Sequence, residues 1–160
     1  MSRTGADLAL LLLGGFRSLV DAAHLELARR GHKDVRPVHD FAIRAIASGA
    51  DSASELGRRM SVSKQAAAKT IATLQERGYV ARDVDPADAR RKRLRVTERG
   101  FDMLREAEAI FDDLRDRWAQ QIGHDQLTTL EAHLADLVGA AGVRLDAPGW
   151  IATQDLAEPS

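Results

Sequence analysis

A capping signal, a tight turn and a second helix follow one another closely in the middle of this chain, and this succession limits the fold more than any other feature. In the stretch "SASE", Ser52 stands at a helix cap and Glu55 follows three residues later, which is the spacing of a capping box. This spacing predicts a short helix that runs to about Met60 and is followed by a turn at "SVS".

The second helix of the pair is predicted over residues 63–77. Ala67, Ile71 and Leu74 lie three or four residues apart and therefore share one face, which we expect to pack inward. Gly78 is suited to the C-terminal cap because it accepts the left-handed backbone conformation. Two helices joined by so short a turn predict a helix-turn-helix.

Two short strands are predicted next, over residues 79–83 and 93–96, with Pro86 in the turn between them. They form a hairpin from the sequence "DPADARRKRLRV", which is rich in cations. Like charges this close repel one another, so the pattern predicts a polyanion as partner, while the alternative is a solvated loop. The residues predicted at the tip are Arg90, Arg91 and Lys92.

Long amphipathic helices are predicted on both sides of this region. Apolar residues recur every three or four positions over residues 6–30, 101–122 and 127–141. The helix that Thr97 caps is longer than a compact monomer of this size needs. Its length predicts pairing with another helix, although packing within its own chain would explain the same apolar stripe.

Together these elements predict a mostly α fold with a small β-hairpin wing, in which a winged helix-turn-helix lobe is joined to a helical dimerisation region. Aromatic residues are only 4% of the chain, so the core must consist largely of aliphatic side chains. The divisions predicted within a single domain spanning residues 1–160 are dimerisation helices at 6–31 and 101–141, the lobe at 36–100 and a C-terminal tail at 142–160.

Composition and motifs argue against several other classes of protein. The chain has no cysteine, which fits a reducing compartment, and we predict a cytoplasmic protein. The apolar run Leu8–Leu13 is followed soon by Arg17 and Asp21, so we predict that it is too short to span a membrane. The sequence contains no nucleophile elbow, phosphate-binding loop or dinucleotide fingerprint, and its histidines lack metal-ligand spacing. We therefore predict no enzymatic activity, no cofactor and no metal.

The distribution of charge indicates nucleic acid more clearly than the net charge of −1 does. Residues 51–100 contain 12 Lys or Arg against 7 Asp or Glu, whereas the rest of the chain contains 11 against 17. A basic segment in a near-neutral chain is the footprint of a DNA-binding lobe, although chance clustering would look the same. Gln65 is suited to pair with adenine through two hydrogen bonds. The residues predicted to contact double-stranded DNA are Ser63, Lys64, Gln65, Ala66, Ala68 and Lys69 on the second helix, and Arg90, Arg91, Lys92 and Arg93 on the hairpin.

The stretch from "SASELGRRMSVSKQAAAKT" to "DPADARRKRLRVTERG" resembles the DNA-binding lobe of the MarR family of bacterial transcriptional regulators. The resemblance covers residues 52–100 closely, and the flanking helices match in order and length. It implies that the recognition-helix residues named above face bases or backbone, and that Asp88 forms a salt bridge with the wing arginine, Arg90. Ala66 and Ala68 depart from the family pattern, because hydroxyl residues are common at these two positions.

The resemblance also implies a homodimer, joined by its N- and C-terminal helices, that reads a pseudo-palindrome and is released from it by a small aromatic or anionic effector. Such a protein is a sequence-specific regulator, more often a repressor than an activator. The alternative is a winged-helix adaptor that contacts protein without specific DNA binding, and the basic wing argues against it. The effector candidates, each otherwise an ordinary surface or helix-pairing residue, are Arg17, His24, His39 and Arg44.

Overall fold

The computed structural model describes residues 4–139, which form six helices and one two-stranded antiparallel hairpin. This confirms the predicted fold class. The predicted tail at 142–160, and the end of the last apolar stripe at Ala141, lie outside the described residues. The elements in chain order are α1 (Gly5–Arg29), α2 (Pro37–Ala47), α3 (Ala53–Met60), α4 (Lys64–Glu76), β1 (Val80–Asp85), β2 (Asp88–Val96), α5 (Glu98–Ile122) and α6 (His124–Val138).

The chain separates into two compact units. Within the described residues, the first contains 4–35 together with Glu106–Ala132, and the second contains Arg36–Arg105 together with 133–139. Helix α5 is continuous and contributes residues to both units. The predicted helix-turn-helix and hairpin lie within the second unit.

Helix α1 begins with a capping box that was not predicted from the sequence. The Thr4 side chain accepts a hydrogen bond from the backbone N–H of Asp7, and the Asp7 carboxylate accepts one from the backbone N–H of Thr4 at 2.8 Å. These hydrogen bonds to Thr4 lower the pKa of the Asp7 carboxyl group. Further along, a Cβ atom on Gly15 would lie 3.4 Å from the Trp118 ring, so a side chain of α5 packs closely on α1 at this glycine.

The N-terminal half of α1 presents apolar side chains that the described chain leaves open. Leu8 and Leu10–Leu13 are between 42% and 66% exposed, whereas Ala23 and Leu27 near the other end are buried. At 25 residues, α1 is by length and composition alone long and apolar enough to cross a membrane. The run Leu8–Leu13 is only part of this helix, and the prediction that it does not span a membrane stays a prediction, because length and composition alone do not distinguish a spanning helix from another long apolar helix.

The apolar stripe predicted on α5 is only partly buried. Ile110 and Leu114 are buried, but Phe111 and Ile122 are each more than 40% exposed. The periodicity correctly predicted a helix, but other residues of the chain cover only part of its apolar stripe. Next to it, Arg115 donates two hydrogen bonds to the Glu131 carboxylate of α6, at 2.7 and 2.8 Å, and this contact lowers the pKa of Glu131.

Candidate nucleic-acid interface

The turn between α3 and α4 has the tight backbone geometry of a helix-turn-helix. Ser61 adopts a left-handed conformation, with φ of +54°, and ends α3. A Cβ atom on Gly57 would lie 3.0 Å from the Val62 carbonyl oxygen and 3.3 Å from that of Ser63. Glycine at this position therefore lets the turn pack directly against α3, which sets the close approach of the two helices.

Only half of the predicted capping box on α3 forms. The Ser52 hydroxyl oxygen accepts a hydrogen bond from the backbone N–H of Glu55 at 3.2 Å. The Glu55 carboxylate does not complete the box, because it pairs with the guanidinium groups of Arg58 and Arg59, which lower its pKa. Arg59 also donates to the carbonyl oxygen of Ser48 at 2.9 Å and so joins α3 to the C-terminal end of α2.

Helix α4 separates its two faces as predicted. Ala67, Ile71 and Leu74 are fully buried. The Ser63 hydroxyl oxygen caps the helix by accepting a hydrogen bond from the backbone N–H of Ala66 at 3.0 Å. The predicted contact residues on this helix are all exposed: Ser63, Lys64, Gln65, Ala66, Ala68 and Lys69.

The hairpin is longer than predicted, and its cations lie beside the turn instead of in it. Its turn is Pro86–Ala87, between β1 and β2, and it carries no charge. Val84 pairs with Lys92 and Asp85 with Asp88, so the register shifts and residues 89–91 form an irregularity in β2. Lys92 lies in the strand ladder opposite Val84, while Arg90 and Arg91 lie in the irregular segment between that pair and the turn, so these cations flank the two-residue turn.

Acidic side chains pair with three of the six cations of the hairpin strands, which we call the wing cations: Arg82, Arg90, Arg91, Lys92, Arg93 and Arg95. The Arg93 guanidinium lies 3.3 Å from Asp51 and 3.6 Å from Asp85, and Arg91 lies 3.6 Å from Asp51. Arg95 pairs with Asp83 across the two strands. The roles of Asp51, Asp83 and Asp85 in these ion pairs were not predicted from the sequence.

Among the cations of β2, Arg90 and Lys92 make no ion pair in the described part of the chain. Both are exposed. Asp88 accepts a hydrogen bond from the backbone N–H of Arg90 at 3.0 Å. This contact shapes the turn and leaves the Arg90 guanidinium available, whereas the resemblance implied a salt bridge between the two side chains.

The base of the hairpin is joined to the start of α5. The backbone N–H of Thr97 donates to the Tyr79 carbonyl oxygen at 3.0 Å, and the Thr97 hydroxyl oxygen accepts from the backbone N–H of Gly100 at 3.1 Å. Burial raises the pKa of the Tyr79 hydroxyl, and the Arg99 guanidinium lies 5.0 Å from the centre of its ring. The wing is thus held at its base by packing and by hydrogen bonds.

The four effector candidates are divided between the two units. Arg17 is exposed on α1 and His24 is half-buried there, whereas His39 and Arg44 lie on α2. His39 is buried, and its Nδ1 accepts a hydrogen bond from the backbone N–H of Arg36 at 3.0 Å. Arg44 pairs with Asp40 at 2.8 Å. Among residues 4–139 no group of three or more acidic or histidine side chains is placed to hold a metal ion.

A buried helix pair with a tight turn, an exposed second helix and a basic hairpin beside it define a winged helix-turn-helix protein. The sequence profile of the MarR family matches residues 41–91, which run from α2 into the wing. Over these residues, about a third of the chain, the protein is similar to the MarR family.

Solved structures share the fold over most of the chain. YusO from Bacillus subtilis superposes with a TM-score of 0.67 at 20% identity, over 86% of this chain and 99% of that one. The F27L mutant of MepR from Staphylococcus aureus, bound to an oligodeoxyribonucleotide, gives 0.59 at 16%, over 86% and 97%. CouR from Rhodococcus jostii RHA1, bound to p-coumaroyl-CoA, gives 0.58 at 21%, over 89% and 100%.

Proposed function

We propose that this protein is a sequence-specific transcriptional regulator that binds double-stranded DNA as a homodimer and acts as a repressor. The observation that carries the proposal is the exposed face of α4 beside the unpaired wing cations Arg90 and Lys92. A helix of this kind enters the major groove, while a basic hairpin reaches phosphates or the minor groove. The protein acts by binding rather than by catalysis, in the cytoplasm.

The homodimer is supported by the exposed apolar side chains of the first unit. Leu8 and Leu10–Leu13 on α1, together with Phe111 and Ile122 on α5, are large apolar side chains of one unit that are each more than 40% exposed, and exposed apolar side chains in such number are typical of an interaction surface. A second copy of the chain would cover these side chains. Two lobes would then read half-sites about one helical turn apart, roughly 34–36 Å.

A small-molecule effector is the proposed signal that releases DNA. The CouR structure contains p-coumaroyl-CoA, which is both aromatic and anionic, and this supports an effector of the predicted class. Arg17, His24, His39 and Arg44 remain the candidate contacts. The test is to add candidate ligands to the preformed protein–DNA complex and measure release.

The proposed function is tested by a gel shift on the DNA upstream of the gene, over a salt series and with nonspecific competitor. We expect a competitor-resistant complex whose log K falls with log salt by about 0.9 for each phosphate contact. Binding that is equal for all sequences would contradict a specific regulator. Complete loss of DNA affinity at low salt would favour the alternative, a winged-helix adaptor that contacts protein. An adaptor of that kind would not need a basic wing.

Replacing Arg90 with alanine is expected to weaken binding to all DNA sequences. The unpaired guanidinium is free to contact phosphate, and losing one charge-assisted hydrogen bond costs about tenfold in affinity. The salt slope should decrease by about 0.9. Binding is measured by fluorescence anisotropy, with Lys33→Ala as a control that removes one exposed cation outside the lobe. Equal affinity of Arg90→Ala and wild type at moderate salt would show that Arg90 makes no contact.

Replacing Gln65 with alanine is expected to relax sequence preference with little change in nonspecific affinity. Gln65 is exposed in the first turn of α4, where a bidentate pair with adenine contributes about 1–3 kcal/mol of discrimination. The measurement compares the operator with single-base variants. If every variant is discriminated as well as by wild type, base recognition resides in other residues.

A further inference from the structure

Asp51 brings the loop before α3 into contact with the wing. One carboxylate oxygen lies 3.3 Å from Nε of Arg93, and the other lies 3.6 Å from the Arg91 guanidinium. The backbone carbonyl oxygen of Asp51 also accepts a hydrogen bond from the N–H of Leu94 at 3.0 Å. One residue therefore binds β2 through both its side chain and its backbone.

Arg93 is enclosed by carboxylates on two sides. Besides Asp51, it lies 3.6 Å from Asp85, which is buried and whose carboxylate accepts a hydrogen bond from the N–H of Ala87 at 2.9 Å. A guanidinium between two carboxylates is neutralised, so it offers less charge to a phosphate than an unpaired one does. Arg93 is thus placed to join the hairpin to the loop before α3.

The position of Asp51 relative to α3 is fixed by its neighbour. Ser52 is the N-terminal cap of α3, and its hydroxyl oxygen is bonded to the backbone N–H of Glu55. The helix-turn-helix therefore sets where the Asp51 carboxylate lies. Because Arg93 pairs with that carboxylate, the position of the wing depends on it.

We propose that Asp51 is a positioning residue for DNA recognition, and that Arg93 anchors the wing to it instead of contacting DNA. This inference rests on the proposed DNA binding and deepens it. Asp51 fixes the direction of the hairpin relative to α4, so that both reach their grooves together. Arg91, more exposed and held by a single longer contact, exchanges Asp51 for a phosphate when DNA binds.

The test compares Asp51→Asn with the matched control Asp83→Asn. Both substitutions remove one negative charge next to a wing arginine, but the Asp83 contact with Arg95 lies entirely within the hairpin. Asparagine keeps the size of the side chain and the backbone hydrogen bond to Leu94. Operator and nonspecific DNA are titrated at one salt concentration, and thermal unfolding confirms that both variants are folded.

Both variants should bind nonspecific DNA somewhat more tightly, because a cation has lost its partner. The ratio of operator to nonspecific affinity should fall about tenfold in Asp51→Asn and stay unchanged in Asp83→Asn. Arg93→Gln should reproduce the fall, and the double variant Asp51→Asn, Arg93→Gln should show no further loss. An unchanged ratio in Asp51→Asn, or additive losses in the double variant, would overturn the proposal.

Hydrogen exchange gives a second readout that does not depend on DNA. The β2 amides should exchange faster in Asp51→Asn than in wild type or Asp83→Asn, because the wing has lost its anchor. Equal exchange in all three proteins would refute the anchor. Absence of specific binding by the wild type would instead refute the proposed function, and the exchange result would still decide whether Asp51 holds the wing.

Discussion

Replacing Gly100 with alanine is expected to lower the free energy of unfolding by about 3 kcal/mol or more. A Cβ atom at this position would overlap the backbone carbonyl oxygen of Tyr79 and lie 2.6 Å from Cγ1 of Val96. The Tyr79 carbonyl oxygen accepts the hydrogen bond from Thr97 N–H, so it cannot move without breaking the base of the wing. The strain therefore falls on rigid backbone and not on a flexible side chain.

The measurement is urea-induced unfolding of both proteins at the same concentration. Gly5→Ala is the control, because a Cβ atom on Gly5 would meet nothing within 4 Å. We expect its unfolding midpoint to stay close to that of the wild type. A Gly100→Ala midpoint equally close to wild type would show that the start of α5 shifts at little cost.

Replacing both Leu8 and Leu11 with glutamate is expected to convert the proposed homodimer into monomers. These side chains lie three residues apart on one face of α1 and are 58% and 52% exposed, so the change removes little packing within the chain. Acidic groups on both sides of a two-fold interface would repel each other and remain desolvated. Because each monomer holds a single half-site, operator affinity should fall about 100-fold or more.

Sedimentation and anisotropy on the same samples test this prediction. A control with glutamate in place of Lys33, an exposed residue outside α1, shows the general effect of added negative charge on DNA binding. A double variant that stays dimeric would place the interface elsewhere. If the wild type floats with lipid vesicles and the double variant does not, the apolar surface of α1 serves a membrane instead.

The helix boundaries of this fold could be predicted because their signals are local. Gly78 was predicted to end a helix, and it adopts a positive φ of +78°. Gly49 and Gly123 follow helices in the same way, with φ of +107° and +100°. The inner face of α4 was equally predictable, since three- and four-residue spacing specifies one side of a helix.

The ion pairs of the wing could not be predicted in the same way. Arg93 and its partner Asp51 are 42 residues apart in sequence, and no local pattern connects them. The charge pattern indicated how many cations the segment contains, but not which of them are neutralised. In the same way, the periodicity of α1 indicated an apolar face without showing whether its own chain covers that face.

The uncharged turn at Pro86–Ala87 provides a site on the wing for a fluorescent label. Because the sequence contains no cysteine, Ala87→Cys would introduce a unique thiol for a dye or a spin label. Ala87 is exposed and takes part in the turn through its backbone N–H, which the substitution keeps. A reporter at this point would follow the hairpin in single molecules while every wing cation keeps its native surroundings.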